Sequence, residues 1–213
     1  MSYDFDLEYW IKRYETAYPD DVAGKYPRFI DDDGVEREEK SPYFETMSKV
    51  LVKRGFLYKK EFVNIGRWKS HRQINNYELN DEETVKRITK QVLKEEDDTK
   101  KIKLLLCGEL SGVQIPVASA ILTVIHPEKF CITDYRAWRA LMWWKRATTD
   151  GKLVWDSYDD YCDFLDNLET YARLQKYLLY LRVMRSIASK ANKTSRQIEM
   201  ALWKFDQMKG VRI

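Results

Sequence analysis

The stretch Leu104 to Leu141, LLLCGELSGVQIPVASAILTVIHPEKFCITDYRAWRAL, constrains the fold of this chain more than any other. It reads as a short helix ending near Gly108, a tight turn around Leu110-Ser111-Gly112-Val113, and a second helix from Pro116 to Ile125. That second helix is apolar and rich in small residues, and Ala118, Ser119 and Ala120 keep part of its surface narrow enough for another helix to come close. His126-Pro127 ends it, because proline disfavours a helical residue before it and cannot extend the hydrogen-bond ladder. A short apolar segment, Phe130-Cys131-Ile132, then delivers a single acid, Asp134, to the start of another helix.

Two helices joined by a glycine-bearing hairpin can aim several backbone N–H groups at one point, and such a point holds a phosphate. The candidates here are the amides of Gly112, Val113 and Gln114. The plainer reading is an αα-turn in which glycine serves geometry alone. For Asp134 the plainer reading is a helix N-cap, a position aspartate favours, and that role is compatible with a chemical one.

The arrangement resembles the helix-hairpin-helix DNA glycosylases, the endonuclease III-like superfamily. Their hairpin reads L-P-G-V-G-x-K-T-A in lyase members, and an acid follows within a V-D or I-D segment. Leu110 to Ala118 occupies the hairpin here and Ile132-Thr133-Asp134 the acid segment. Pro116 stands where the lyase lysine would, 18 residues before Asp134, which is the family's spacing. Gln114 replaces the second hairpin glycine. The match is close over about forty residues; elsewhere it lies only in helical character. It implies an all-α, two-lobed fold, with a lobe at 41–126 that ends in the hairpin. Residues 1–18 with 127–213 form the second lobe, and 19–40 a surface loop. It implies that Asp134 is catalytic, in a cleft at the seam. Without the lysine, the implied chemistry is monofunctional: hydrolysis of the N-glycosidic bond of a damaged or mismatched base, with no Schiff base. A non-catalytic DNA-binding protein, or an RNA-directed or defence-associated one on the same scaffold, is the alternative, since fold does not fix function.

Composition sets the outer bounds. The chain has 213 residues, 44% of them apolar and 14% aromatic, enough for a sizeable core. No run approaches the roughly 20 apolar residues of a membrane span, and the acidic start MSYDFDLEYW lacks the pattern of a secretory signal. Cys107, Cys131 and Cys162 are too scattered for a zinc site or the four-cysteine iron–sulfur cluster of some endonuclease III relatives, so no metal or cofactor is expected. A reducing, intracellular setting follows as the expectation. Net charge is only +3, yet residues 1–40 hold 12 acids against 6 bases, leaving 22 acids against 31 bases beyond them. A basic body suits a polyanion, here double-stranded DNA carrying a lesion, though ordinary proteins share such tallies.

Along the rest of the chain, helical spacing marks 6–18, ended by Pro19. Residues 19–40, with a DDDG turn signal, read as loop. Ser41-Pro42 reads as an N-cap with proline at the first helical position, and further helices span 59–69 and the segment after Asn80, where Asn80 and Glu83 resemble a capping box. Beyond Asp134 come an aromatic helix over 135–144, a turn at Thr148-Thr149-Asp150-Gly151, helices over 158–174 and 177–191, and a last helix opened by a Thr194–Gln197 capping box. No convincing strand emerges.

Three further groups carry candidate roles. Trp68-Lys69-Ser70-His71-Arg72 closes a helix, where Lys69 and Arg72 could meet the substrate backbone and Trp68 a base. The bland account is cations offsetting a helix dipole, and Lys69 is also the one lysine to test as a displaced nucleophile. Arg136 and Arg139 could meet phosphate, while Tyr135 or Trp138 stacks on an extruded base. In the bland account these aromatics are core, because Trp138, Leu141 and Met142 share helical spacing.

Overall fold

The computed structural model describes residues 5–21, 26–147 and 173–210, and these are predominantly helical. The chain divides into two compact units, Pro19–Phe130 and Met1–Tyr18 with Cys131–Ile213.

The unit Pro19–Phe130 is built round one helix, Ile115–Ile125 (α7). Every α7 residue except Pro116 is buried. Packed against it are Glu45–Arg54 (α2), Lys59–Lys69 (α3) and Asp98–Leu105 (α6). A helix apolar on all sides has to be enclosed in this way. Between α3 and α6 lie a 3₁₀ turn at His71–Gln73, a short helix at Ile74–Glu78 (α4) and Glu82–Lys94 (α5). In α5, Val85, Ile88, Thr89 and Val92 form the buried i, i+3, i+4, i+7 stripe of an amphipathic helix. Its last turn keeps a carbonyl that needs a donor, and the buried Lys101 ammonium supplies one, 3.0 Å from the Val92 oxygen.

Within the loop expected over 19–40, the described residues form regular structure instead. Leu7–Asp21 (α1) runs on through Pro19, and Arg28–Ile30 (β1) pairs antiparallel with Glu36–Glu38 (β2) in the register Phe29 opposite Arg37. The DDDG signal is the hairpin turn. The Asp31 carboxylate accepts the N–H groups of Asp33 and Val35, and Gly34 takes φ +78. Strands of three residues are too short for alternation to show. What holds them is distant in sequence: Phe29 is buried, and the Glu61 carboxylate of α3 accepts the Ile30 N–H at 2.7 Å while pairing with Arg54.

Two helix starts also move. Helix α2 begins at Glu45 after Phe44 in the left-handed region, and its cap is the buried Glu39, which accepts the Met47 and Ser41 N–H groups. At α5 the cap is Asp81, bonded to the Thr84 N–H at 2.8 Å, and not Asn80.

In the other unit, Tyr135–Ala147 (α8), Leu174–Ala191 (α9) and Ser195–Lys209 (α10) pack together, α8 and α10 most extensively. Phe205 of α10 is ringed by Phe5, Trp10 and Trp143 at 4.7–5.2 Å. The Thr194–Gln197 capping box forms as expected. The expected turn at 148–151 and all but the end of the helix expected over 158–174 lie outside the described residues.

A pH dependence follows from the Pro19–Phe130 unit. Burial, and then the Lys101 charge, hold the His126 imidazole below its usual 6.5. Below pH 6.5 the unfolded chain therefore binds the proton more readily than the folded one, so His126 removes stability as pH falls from 6.5 to its folded value. Urea titrations across that range should show a steeper loss for the native chain than for His126→Gln; equal slopes would contradict this.

Candidate nucleic-acid interface

The hairpin between α6 and α7 is set by glycine where the chain needs it. Gly108 and Gly112 take φ +87 and +81, values that L side chains rarely adopt. Val113 N–H closes the turn weakly onto the Leu110 carbonyl at 3.5 Å. Gln114 follows at φ −118 and ψ 174, extended backbone open to any residue, so this turn does not require a second glycine there. Gln114 is the N-cap residue of α7, and Pro116 falls in the first turn, where a missing N–H costs little. Gln114 is exposed and Gly112 and Val113 are half-buried. Among the described residues, the N–H groups of Gly112 and Gln114 have no acceptor. Just upstream, Glu109 is paired with Arg87, which holds its carboxyl below the usual range and masks an anion that would repel phosphate.

Two residues that sequence patterns did not connect with the hairpin hold this turn. Tyr77 of α4 is fully buried, and a Cβ on Gly112 would stand 2.8 Å from its ring. A Cβ on Gly66 of α3 would stand equally close, so the ring lies between two bare stretches of backbone. The Tyr77 hydroxyl donates to the Ser70 carbonyl at 3.3 Å, which ties the Trp68–Arg72 segment to the same ring. Asn80, 5% exposed, bonds to both backbone groups of Ser111. Nothing in the local sequence ties either residue to the hairpin. Asn80 reads as a helix cap, and the partner that decides its role lies 31 residues away.

In the Trp68–Arg72 segment, Arg72 and His71 are exposed, while Trp68 and Lys69 are half-buried. Trp68 packs edge-on against Phe44, with centroids 5.4 Å apart. The hairpin and this segment are thus brought together through Tyr77.

The sites expected around Asp134 fare differently. Asp134 opens α8, half-buried, with Oδ1 accepting the Arg136 N–H at 3.0 Å in the manner of an N-cap. Trp138 is corrected from base pocket to core: it is 1% exposed, its indole N–H donates to Thr133 Oγ1 at 2.7 Å, and its ring stacks on Tyr180. Arg139 grips the fully buried Asp206 with two 2.6 Å bonds, and Arg136 adds a third contact at 3.4 Å. The Arg139 guanidinium is thus committed to this carboxylate, while the Arg136 side chain stays 43% exposed. Tyr135 remains 43% exposed, with the Arg139 guanidinium 5.3 Å from its ring centre.

Among the described residues no three His, Cys, Asp or Glu side chains gather to hold a metal, and no helix is long and apolar enough to cross a membrane. No protein-family model, curated protein or solved structure matches the chain.

Arg139→Ala should therefore lower stability by about 3 kcal/mol, because it leaves a buried carboxylate with one weaker partner, and any duplex affinity should stay within about twofold. Paired denaturation and binding measurements check this. An affinity loss with stability intact would restore Arg139 to the interface.

Proposed function

We propose that this chain is a lesion-directed DNA glycosylase of the helix-hairpin-helix kind, acting by hydrolysis. The observation that carries the reading is the hairpin: a left-handed glycine, two amides without acceptors among the described residues, and the start of α7 beneath them. That is the backbone arrangement a DNA phosphate fits. Asp134, at the family's spacing from the hairpin, supplies the carboxylate. Loss of a base leaves positive charge on the sugar, and a fixed carboxylate stabilises that oxocarbenium-like state and orients or deprotonates the attacking water. The target base has to leave the stack first, which costs least for a damaged or mismatched one and so contributes selectivity. Lys69 and Arg72, beside the Ser70 carbonyl that Tyr77 holds, would add backbone contacts. Pro116 in the lysine position fits hydrolysis without strand cleavage.

A second reading, a binding protein without chemistry, is favoured by one observation. Asp134 already serves as a helix cap, and that role alone would retain an acid there.

A panel of duplexes carrying uracil, oxidised guanine, alkylated bases and mismatches separates the two, scored for base loss with and without alkali. The native chain should release a base from at least one duplex. Asp134→Asn should lose that release by about 10³-fold or more, in the range of an essential carboxylate, with duplex affinity nearly unchanged. Equal release by both proteins would remove Asp134 from the mechanism. Duplex binding with no release from any substrate would favour the binding protein.

A further inference from the structure

We propose that Asn80 is the positioning residue of the hairpin, turning the Gly112 N–H outward to meet phosphate; this rests on the hairpin being a phosphate grip. The Asn80 Oδ1 accepts the Ser111 N–H at 2.7 Å, and its Nδ2 donates to the Ser111 carbonyl at 3.1 Å. Nδ2 also reaches the Tyr77 carbonyl at 2.8 Å and the Asn76 carbonyl at 3.3 Å. These partners fix which end of the carboxamide is which, since the reverse orientation would set an NH₂ group against an N–H and an oxygen against three carbonyls.

The consequence lies in the next peptide plane. The Ser111 carbonyl and the Gly112 N–H belong to one peptide unit, and no peptide bond among the described residues is cis. In a trans unit the two groups point in opposite directions. With the carbonyl drawn inward to Asn80, the Gly112 N–H faces away from the protein body, without an acceptor among the described residues. Tyr77 sets how far in the turn can sit, because its ring meets the Gly112 backbone where a Cβ would be. One buried side chain thus consumes both backbone groups of Ser111 and leaves its neighbour's donor for a ligand. Glycine alone would not do this, since a left-handed residue can rotate its flanking planes unless something holds them.

Amide hydrogen exchange on the full chain, with a short mixed-sequence duplex as probe, tests this without a mutation. In the free protein the Ser111 amide should exchange at least about tenfold more slowly than those of Gly112 and Gln114. Added duplex should slow Gly112 and Gln114 and leave Ser111 as it was. A Ser111 amide as fast as Gly112 in the free protein, with Gly112 still slowed by duplex, overturns the role of Asn80 alone. Exchange at Gly112 and Gln114 that ignores duplex removes the grip, and the proposal with it. Asn80→Leu gives the second readout: duplex affinity should fall about tenfold, the scale of a lost buried hydrogen bond. The salt dependence should become shallower by about one phosphate contact. A variant that loses only thermal stability, with the salt slope unchanged, shows Asn80 to be structural and overturns the assignment.

Discussion

The Tyr77 ring, held between the backbones of Gly66 and Gly112, is the contact on which the hairpin and its surroundings depend. A side chain at either glycine would come within 2.9 Å of the ring, inside any distance real Cβ atoms keep. The turn therefore sits as close to α3 and α4 as backbone allows, and that closeness is what lets Asn80 reach Ser111. It also links the hairpin to the segment after α3 through the Tyr77 hydroxyl. At Gly112 steric permission and backbone conformation coincide, since the left-handed φ and the absent Cβ are both required.

Buried polar groups organise the rest of the molecule by the same logic. Several of them reach partners far away in sequence, because an unpaired buried group costs more than a made hydrogen bond returns. Glu61 joins the β1–β2 hairpin to α3, Glu39 caps α2 from outside the helix, and Asp206 collects the guanidinium of Arg139 and one nitrogen of Arg136. The buried Arg196 pairs with Glu199 and bonds to the Tyr14 hydroxyl, joining α1 to α10. Side chains committed in this way are poor candidates for substrate contact however basic they look on paper.

Helices whose burial is periodic were legible from the chain. The α5 stripe, the largely apolar α7 and the Thr194–Gln197 cap all follow from local spacing. What escaped local reading was every feature that one distant side chain decides. The three-residue strands of 28–38 have no pattern of their own and rest on Glu61. Asn80 looks like a cap until Ser111, 31 positions on, claims it, and Asp81 takes the role instead. Trp138 shows the same ambiguity from the other side, since an aromatic after Asp134 suits a base pocket or a core equally until its indole is seen bonded to Thr133. The glycine turn and the acid at the head of α8 were readable, and the devices that hold the turn were not.

The position of a bound phosphate tests the central claim most directly. In a crystal structure of the chain with a short duplex containing an abasic-site analogue, the account predicts a phosphate oxygen about 3 Å from the amide nitrogens of both Gly112 and Gln114. Duplex held elsewhere on the protein, with those two amides still facing solvent, would contradict it.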